Sequence, residues 1–260
     1  MMTHEQINDR LNGLLAKHHA KCLFAVESGS RAWGFESSNS DYDVRFVYWM
    51  PVDWYLSIET RRDVIEEMGD DDLDFAGWDL RKALLLAQKS NPSLHDWLAT
   101  HESYYADAKL FPEFKQLCLD FFDPQACFLH FRSMATGNFA DFRNAESLPF
   151  KKYFYVMRSL LCARFIFDHQ KPAPCRFGDL LNEYYPSGNV RDEIDRMLEV
   201  KRSGVELAPM KRNKTLHDEV ERLFQITGEA PGKRTVTPTV PLNVFFRKVV
   251  GYSLQDLLDR

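Results

Sequence analysis

The eight residues YDVRFVYW, Tyr42 to Trp49, constrain this chain more than any other stretch. Aromatic and β-branched side chains crowd them and Pro51 closes them, which is the composition of a strand. Alternate residues of a strand face one side, so Asp41 and Asp43 send two carboxylates into one small volume while Tyr42 points away. Two like charges held that close are costly unless something positive lies between them. A positive partner is therefore expected between them, and the rest of the sequence has to say which.

The flanking sequence extends the pattern. Cys22 to Glu27 (CLFAVE) reads as a strand running into a turn at Ser28-Gly29-Ser30, and SSNS (residues 37–40) is loop chemistry. Residues 53–72 read as a polar region whose acidic run, Glu66, Glu67, Asp70, Asp71 and Asp72, is a solvated turn. Leu73-Asp74-Phe75 is brief and strand-like. Asp79 has the position of an N-cap for LRKALLLAQKS, and Asn91-Pro92-Ser93 caps the next helix. From about residue 110 the pattern is helical throughout: FPEFKQLCLDFF, PQACFLHFRSMATG, KKYFYVMRSLLCARFIFDHQ, then 177–186, 189–203 and 210–226. Residues 227–241 read as a loop or linker before a last helix over 242–259. The expectation is an α/β module over 1–105 and a helical domain over 106–260, an α+β protein overall.

Composition narrows the class. No window approaches the roughly 20 apolar residues of a membrane span, and the N-terminus reads as an amphipathic helix without a signal-peptide core, so a cytoplasmic setting is expected. Five cysteines without CxxC spacing, and histidines without HxxxH or HExxH pairs, argue against zinc sites and a disulfide framework. The net charge of -5 is uneven: residues 1–100 hold 10 basic against 17 acidic side chains, whereas 151–214 hold 13 against 8. Such a balance suits cation binding in the first module and polyanion contact in the second.

The chemistry follows from these groups. If the strand of Asp74 neighbours that of Asp43, three carboxylates converge, and such oxygen ligands suit Mg2+, which also binds substrate phosphates. Two such ions would stabilise an in-line displacement at phosphorus. Gly29 lets the backbone approach a phosphate, exposed N–H groups at a turn entering a helix form an anion nest, Ser30 adds a hydroxyl and Arg31 a charge. Asp79 is a rival third carboxylate, though a cap role suits it better. Lys151, Tyr155, Arg158 and Cys162 share a helix face, with Lys152 beside them. Arg158, within YVMRSLL, must either meet an acid or reach phosphate. Lys82 is a further candidate for nucleotide contact. Trp33 and Phe35 suit packing under the loop better than stacking on a base.

Taken together, ESGSRAWGFESSNSDYDVRF, LDFAGWDLRKALLLAQKSNPSLHDWL and KKYFYVMRSLLCARF resemble the DNA polymerase beta-like nucleotidyltransferase superfamily, and within it the RNA repair pathway DNA polymerase beta family. The resemblance spans most of residues 20–175 and is looser beyond. It implies a short mixed sheet with flanking helices, then a helical domain forming the other wall of a cleft. It implies that Asp41 and Asp43 are catalytic, metal-binding acids, that Asp74 is the third, and that Gly29 and Ser30 engage a triphosphate. Arg31, Lys82, Lys152 and Arg158 are the further nucleotide-binding candidates. The expected activity is Mg2+-dependent (Mn2+ as substitute) transfer of an NMP from an NTP to an acceptor hydroxyl, foremost an RNA end. Transfer to a protein side chain, or a non-catalytic nucleotide-binding role, are the alternatives.

Overall fold

Thr3 opens the first helix with a capping box: its side chain accepts the Gln6 N–H, and Gln6 accepts the Thr3 N–H in return. The computed structural model describes residues 2–258 apart from 70–71, 141, 150, 203–208 and 235–236, with backbone alone for 209–210 and 252–258. Asp70 and Asp71 of the acidic run lie outside the described residues.

The helix α1 (His4–Lys17) leads to β1 (Lys21–Glu27), α2 (Gly29–Trp33), β2 (Tyr42–Trp49), α3 (Val52–Leu56), β3 (Val64–Met68) and β4 (Leu73–Asp79). Next come α4 (Leu80–Gln88), α5 (Pro92–Ala99), β5 (Ser103–Ala106), α6 (Leu110–Asp120) and α7 (Pro124–Ala140). The rest comprises β6 (Ser147–Pro149), α8 (Lys151–His169), α9 (Phe177–Tyr184), α10 (Asn189–Arg202), β7 (Pro209–Lys211), α11 (Lys214–Ile226) and α12 (Val240–Leu258).

The five-stranded sheet has the order β3-β4-β2-β1-β5, with β2 and β4 parallel and the other neighbours antiparallel. The chain is thus α+β, as its patterning implied. Four short strands depart from the sequence reading. Residues 53–72 contain α3 and the edge strand β3, whose VIEEM buries only Ile65, and β5 is an edge strand with no buried residue. Edge strands need only one apolar contact row, so alternation fades in them. Within the region read as wholly helical, β6 and β7 pair antiparallel; three residues each are too few to register as a period.

The two faces of the sheet divide the core. Val44, Phe46 and Tyr48 of β2 pack with Ile7, Leu11 and Leu14 of α1. Val47 points the other way, with Phe24 and Val26, against α4, α5 and α6. Leu242, Phe245 and Val249 of α12 complete that second layer, so the end of the chain returns to the sheet. A third core joins α7, α8, α9, α10 and α11, and Phe35 from the loop after α2 is buried in it. Asp43 and Arg45 lie on the Val47 side of β2, where α2 and α8 overhang the sheet.

Candidate active site

β1 ends on Glu27, a carboxylate only 2% exposed. It accepts the Asp43 N–H at 2.8 Å and the Tyr104 hydroxyl, while the Ser28 N–H donates to the Asp43 carbonyl at 2.9 Å. Burial pushes the Glu27 carboxyl up, and these two hydrogen bonds oppose the shift. The end of β1 thereby fixes the start of β2.

The chain then turns at Gly29, with φ +61°. A Cβ at this position would lie 2.0 Å from Asp43 Oδ2, so only glycine lets the turn and the carboxylate touch. The two halves of the sequence signature, eleven or more residues apart in the chain, meet as backbone against carboxylate. Asp74 sits directly beside Asp43 in the parallel β2–β4 register.

Between Asp43 and Asp74 lies Arg45. One of its Nη atoms donates to Asp43 Oδ1 at 2.8 Å and to Asp74 Oδ2 at 2.7 Å. The other donates to the Asp74 carbonyl at 3.1 Å. Burial still raises the Asp43 carboxyl above its ordinary value; Arg45 lowers it, and Asp74 and Asp41 raise it further. The charge left over therefore favours a further cation. Asp41 is exposed, next to Asp43 and outside the Arg45 bridge.

Hard carboxylate oxygens from Asp41 and Asp43 fit an ion such as Mg2+, which takes few protein ligands and fills its shell with water and phosphate oxygens. Arg45 offsets one of the two charges that Asp43 and Asp74 bring together. Among the described residues no group of three or more His, Cys, Asp or Glu is arranged to hold a metal. The donor set thus fits an ion shared with a ligand and not a closed protein cage.

A cavity of about 310 Å³ opens in front of these acids. Gly29, Ser30, Asp41 and Asp43 form one wall, and Lys151, Tyr155 and Lys201 face them from α8 and α10. Lys201 is 3% exposed, with Nζ 5.6 Å from the centre of the Phe35 ring. Carboxylates and an open backbone turn on one side, ammonium groups on the other, can hold a polyanion together with its cation.

The remaining sequence candidates divide. Arg31 turns away to brace the loop before β2, donating to the carbonyls of Ser40 (2.7 Å) and Asp41 (3.0 Å) and stacking on Tyr42. Lys82 pairs with Asp63 at 2.9 Å, in a different cavity with Arg61, Asp79 and Arg81. Asp79 lies five residues along β4 from Asp74 and on its opposite face, roughly 16 Å away. It caps α4 by accepting the Arg81 N–H at 2.8 Å and accepts the Tyr55 hydroxyl at 2.5 Å. On α8 it is Lys151 that lines the cavity, not Lys152. Arg158 meets an acid: it is 3% exposed, pairs with Asp96 at 2.7 Å, donates to the Cys175 carbonyl and lies over the Trp33 ring at 4.4 Å. Phe35 packs in the helical core, as expected.

Sequence reasoning missed three site residues. Arg45 had a signal, because a residue two positions after Asp43 in a strand shares its face. Glu27 had a weak one, as an acid closing an apolar run. Lys201 had none, because α10 meets the cavity only through tertiary packing.

With this geometry in hand, comparison with known proteins places the chain. The model of the RNA repair pathway DNA polymerase beta family matches residues 3–248. The uncharacterized protein YcgL of Bacillus subtilis (strain 168) is 39% identical over 234 residues, covering 88% of this chain and 90% of that one. A crystal structure of a nucleotidyltransferase-like protein from Exiguobacterium sibiricum 255-15 aligns over 95% of this chain and 79% of its own. Its TM-score of 0.32 and 12% identity are too low for that likeness to carry weight. The family match covers nearly the whole chain and includes every residue of the carboxylate site: the protein belongs to the RNA repair pathway DNA polymerase beta family, a branch of the polymerase beta-like nucleotidyltransferases.

Proposed function

We propose that this protein transfers an NMP unit from an NTP to a hydroxyl group at an RNA end, with a divalent cation and release of pyrophosphate. The observation that carries the reading is the contact between Gly29 and the Asp43 carboxylate, with Asp41 and Asp74 beside it. Asp41 and Asp43 would hold Mg2+, or Mn2+ in its place, which supplies charge neutralisation for the polyphosphate. The backbone at Gly29-Ser30 and the ammonium groups of Lys151 and Lys201 bind and orient the triphosphate from two sides.

In the reaction the acceptor oxygen bonds to the α-phosphorus and the bond to the bridging oxygen breaks, so pyrophosphate leaves with that electron pair. Asp74 is positioned beside Asp43 to take the hydroxyl proton, and Arg45 keeps both carboxylates oriented. Catalysis of this kind is chiefly positioning and charge neutralisation. The RNA acceptor is suggested by the family and by the basic balance of residues 151–214. A cytoplasmic setting, where NTPs and RNA occur together, belongs to the same proposal.

The test incubates the protein and Mg2+ with each α-labelled NTP, in parallel with total cellular RNA and with total protein. Label at an RNA terminus, lost in Asp41→Asn and in Asp43→Asn by at least about 1,000-fold, is the expected result. Label on protein alone would redirect the acceptor. Transfer undiminished in either variant would end the assignment.

A further inference from the structure

Behind the carboxylates lies a second cavity, of about 330 Å³, which shares Trp33 and Tyr155 with the first. Its floor is the β2–β4 surface, where Arg45, Ala76 and Trp78 face upward. Because Arg45 bridges Asp43 and Asp74, the reacting carboxylates stand at its inner edge. Five aromatic rings, Trp33, Trp78, Trp97, Phe131 and Tyr155, line it, and several are held by neighbours. Trp78 and Trp97 are stacked at 3.8 Å between ring centres. Trp33 donates its indole N–H to Asp96 at 3.2 Å and has Arg158 over its ring. Asp96 and Arg158, joined to each other, set a charged edge on the same cavity, and Asn138 offers an amide.

Flat, rigid aromatic walls with a few convergent donors and acceptors select a flat ligand whose edge carries both. A phosphate has no flat face to stack, and the two guanidiniums on this cavity are already engaged, Arg158 by Asp96 and Arg45 by Asp43 and Asp74. We propose that this cavity binds a nucleobase, placed by Trp33, Trp78 and Tyr155 and read at its edge by Asp96, Arg158 and Asn138. The assignment rests on the reaction proposed above, since the first cavity then holds the triphosphate and the two share a wall. The base belongs either to the incoming NTP or to the terminal nucleotide of the acceptor, and the stacking chemistry is the same for both.

The experiment measures binding without turnover. Tryptophan fluorescence and calorimetry follow three probes with Mg2+: inorganic tripolyphosphate, the four NTPs, and the dinucleoside monophosphates ApA and CpC. Ala76→Leu fills the floor of the cavity, and Met134→Trp, at a rim position 39% exposed, narrows its mouth without touching the core. Tripolyphosphate affinity should stay within twofold of wild type in both variants, which also certifies their fold. At least one variant should weaken one nucleobase probe tenfold or more. Loss confined to the NTPs assigns the cavity to the incoming base; loss confined to the dinucleosides assigns it to the acceptor. Unchanged binding of every nucleobase probe in both variants overturns the proposal. Wild-type protein that binds nucleobase probes but not tripolyphosphate would instead strike the proposed transfer reaction and leave the pocket standing.

Discussion

Gly29 carries two constraints at once: a positive φ and a carboxylate where its Cβ would be. Gly29→Ala therefore adds a left-handed alanine, about 1–2 kcal/mol, and pushes Asp43 out of place. The expected result is a lower melting temperature and a fall in kcat of about 100-fold, the scale that a displacement of an ångström causes. Arg45 is a positive charge between Asp43 and Asp74, whereas the sequence reading looked for one between Asp41 and Asp43 and assigned it to metal. Arg45→Met leaves Asp43 and Asp74 facing each other without it. With these acid side chains 30% exposed the loss should be about 2 kcal/mol, less than for a fully buried pair. Thermal melts with and without MnCl2 check the cause: the ion should restore more stability to Arg45→Met than it adds to wild type. An equal gain in both would mean that Arg45 and the ion do not share one electrostatic task. The two acids were legible from period-two spacing, and Arg45 lies on the same face by the same period.

Among the elements, α5 joins structure to chemistry. Its cap was readable, and Asn91 does accept the Leu94 N–H at 3.1 Å. What the sequence could not tell is that one face of α5 supplies Asp96 and Trp97 to the second cavity while the other buries His95 against Phe122. His95 is 4% exposed, its Nε2 has no hydrogen-bond partner among the described residues, and burial pushes its pKa down from 6.5 to about 4. A pKa lower in the folded than in the unfolded state means that stability is full above about pH 6.5. It is lost as pH falls through the interval down to about 4. At 1.36 kcal/mol per unit the loss is about 3 kcal/mol. His95→Met should flatten this acid limb in urea denaturation series at pH 4.5 and 7.5. A slope as steep as that of wild type would place its origin elsewhere. The edge strands β3 and β5 bury one residue and none, so their sequences carry too little apolar pattern to mark a strand.

Across the whole molecule, no helix among the described residues is long and apolar enough to cross a membrane. The catalytic module over 1–105 and the helical domain over 106–260 are a proposed division, and contacts of three kinds tie them. Phe35 is buried in the helical core, α12 closes on the sheet, and the Asp96–Arg158 pair links α5 to α8 beneath Trp33. Asp96→Asn leaves a guanidinium buried without its counter-charge, so a cost of about 3–5 kcal/mol is expected, read as a lower denaturant midpoint. An unchanged midpoint would show that the pair adds nothing to the joint between the modules. The sequence by itself determined the strands that carry the acids, the turn that needs glycine, the main helices and the family. Each of these follows from local periodicity, capping chemistry or motif spacing, all of which act over a few residues of chain. Only the tertiary structure decided that Arg45 fills the gap between Asp43 and Asp74, that Arg31 and Lys82 turn elsewhere, and that Lys201 closes the cavity from α10. Those outcomes depend on which side chains the packed elements bring into a shared volume, and residues far apart in the chain meet there only when the helices pack on the sheet.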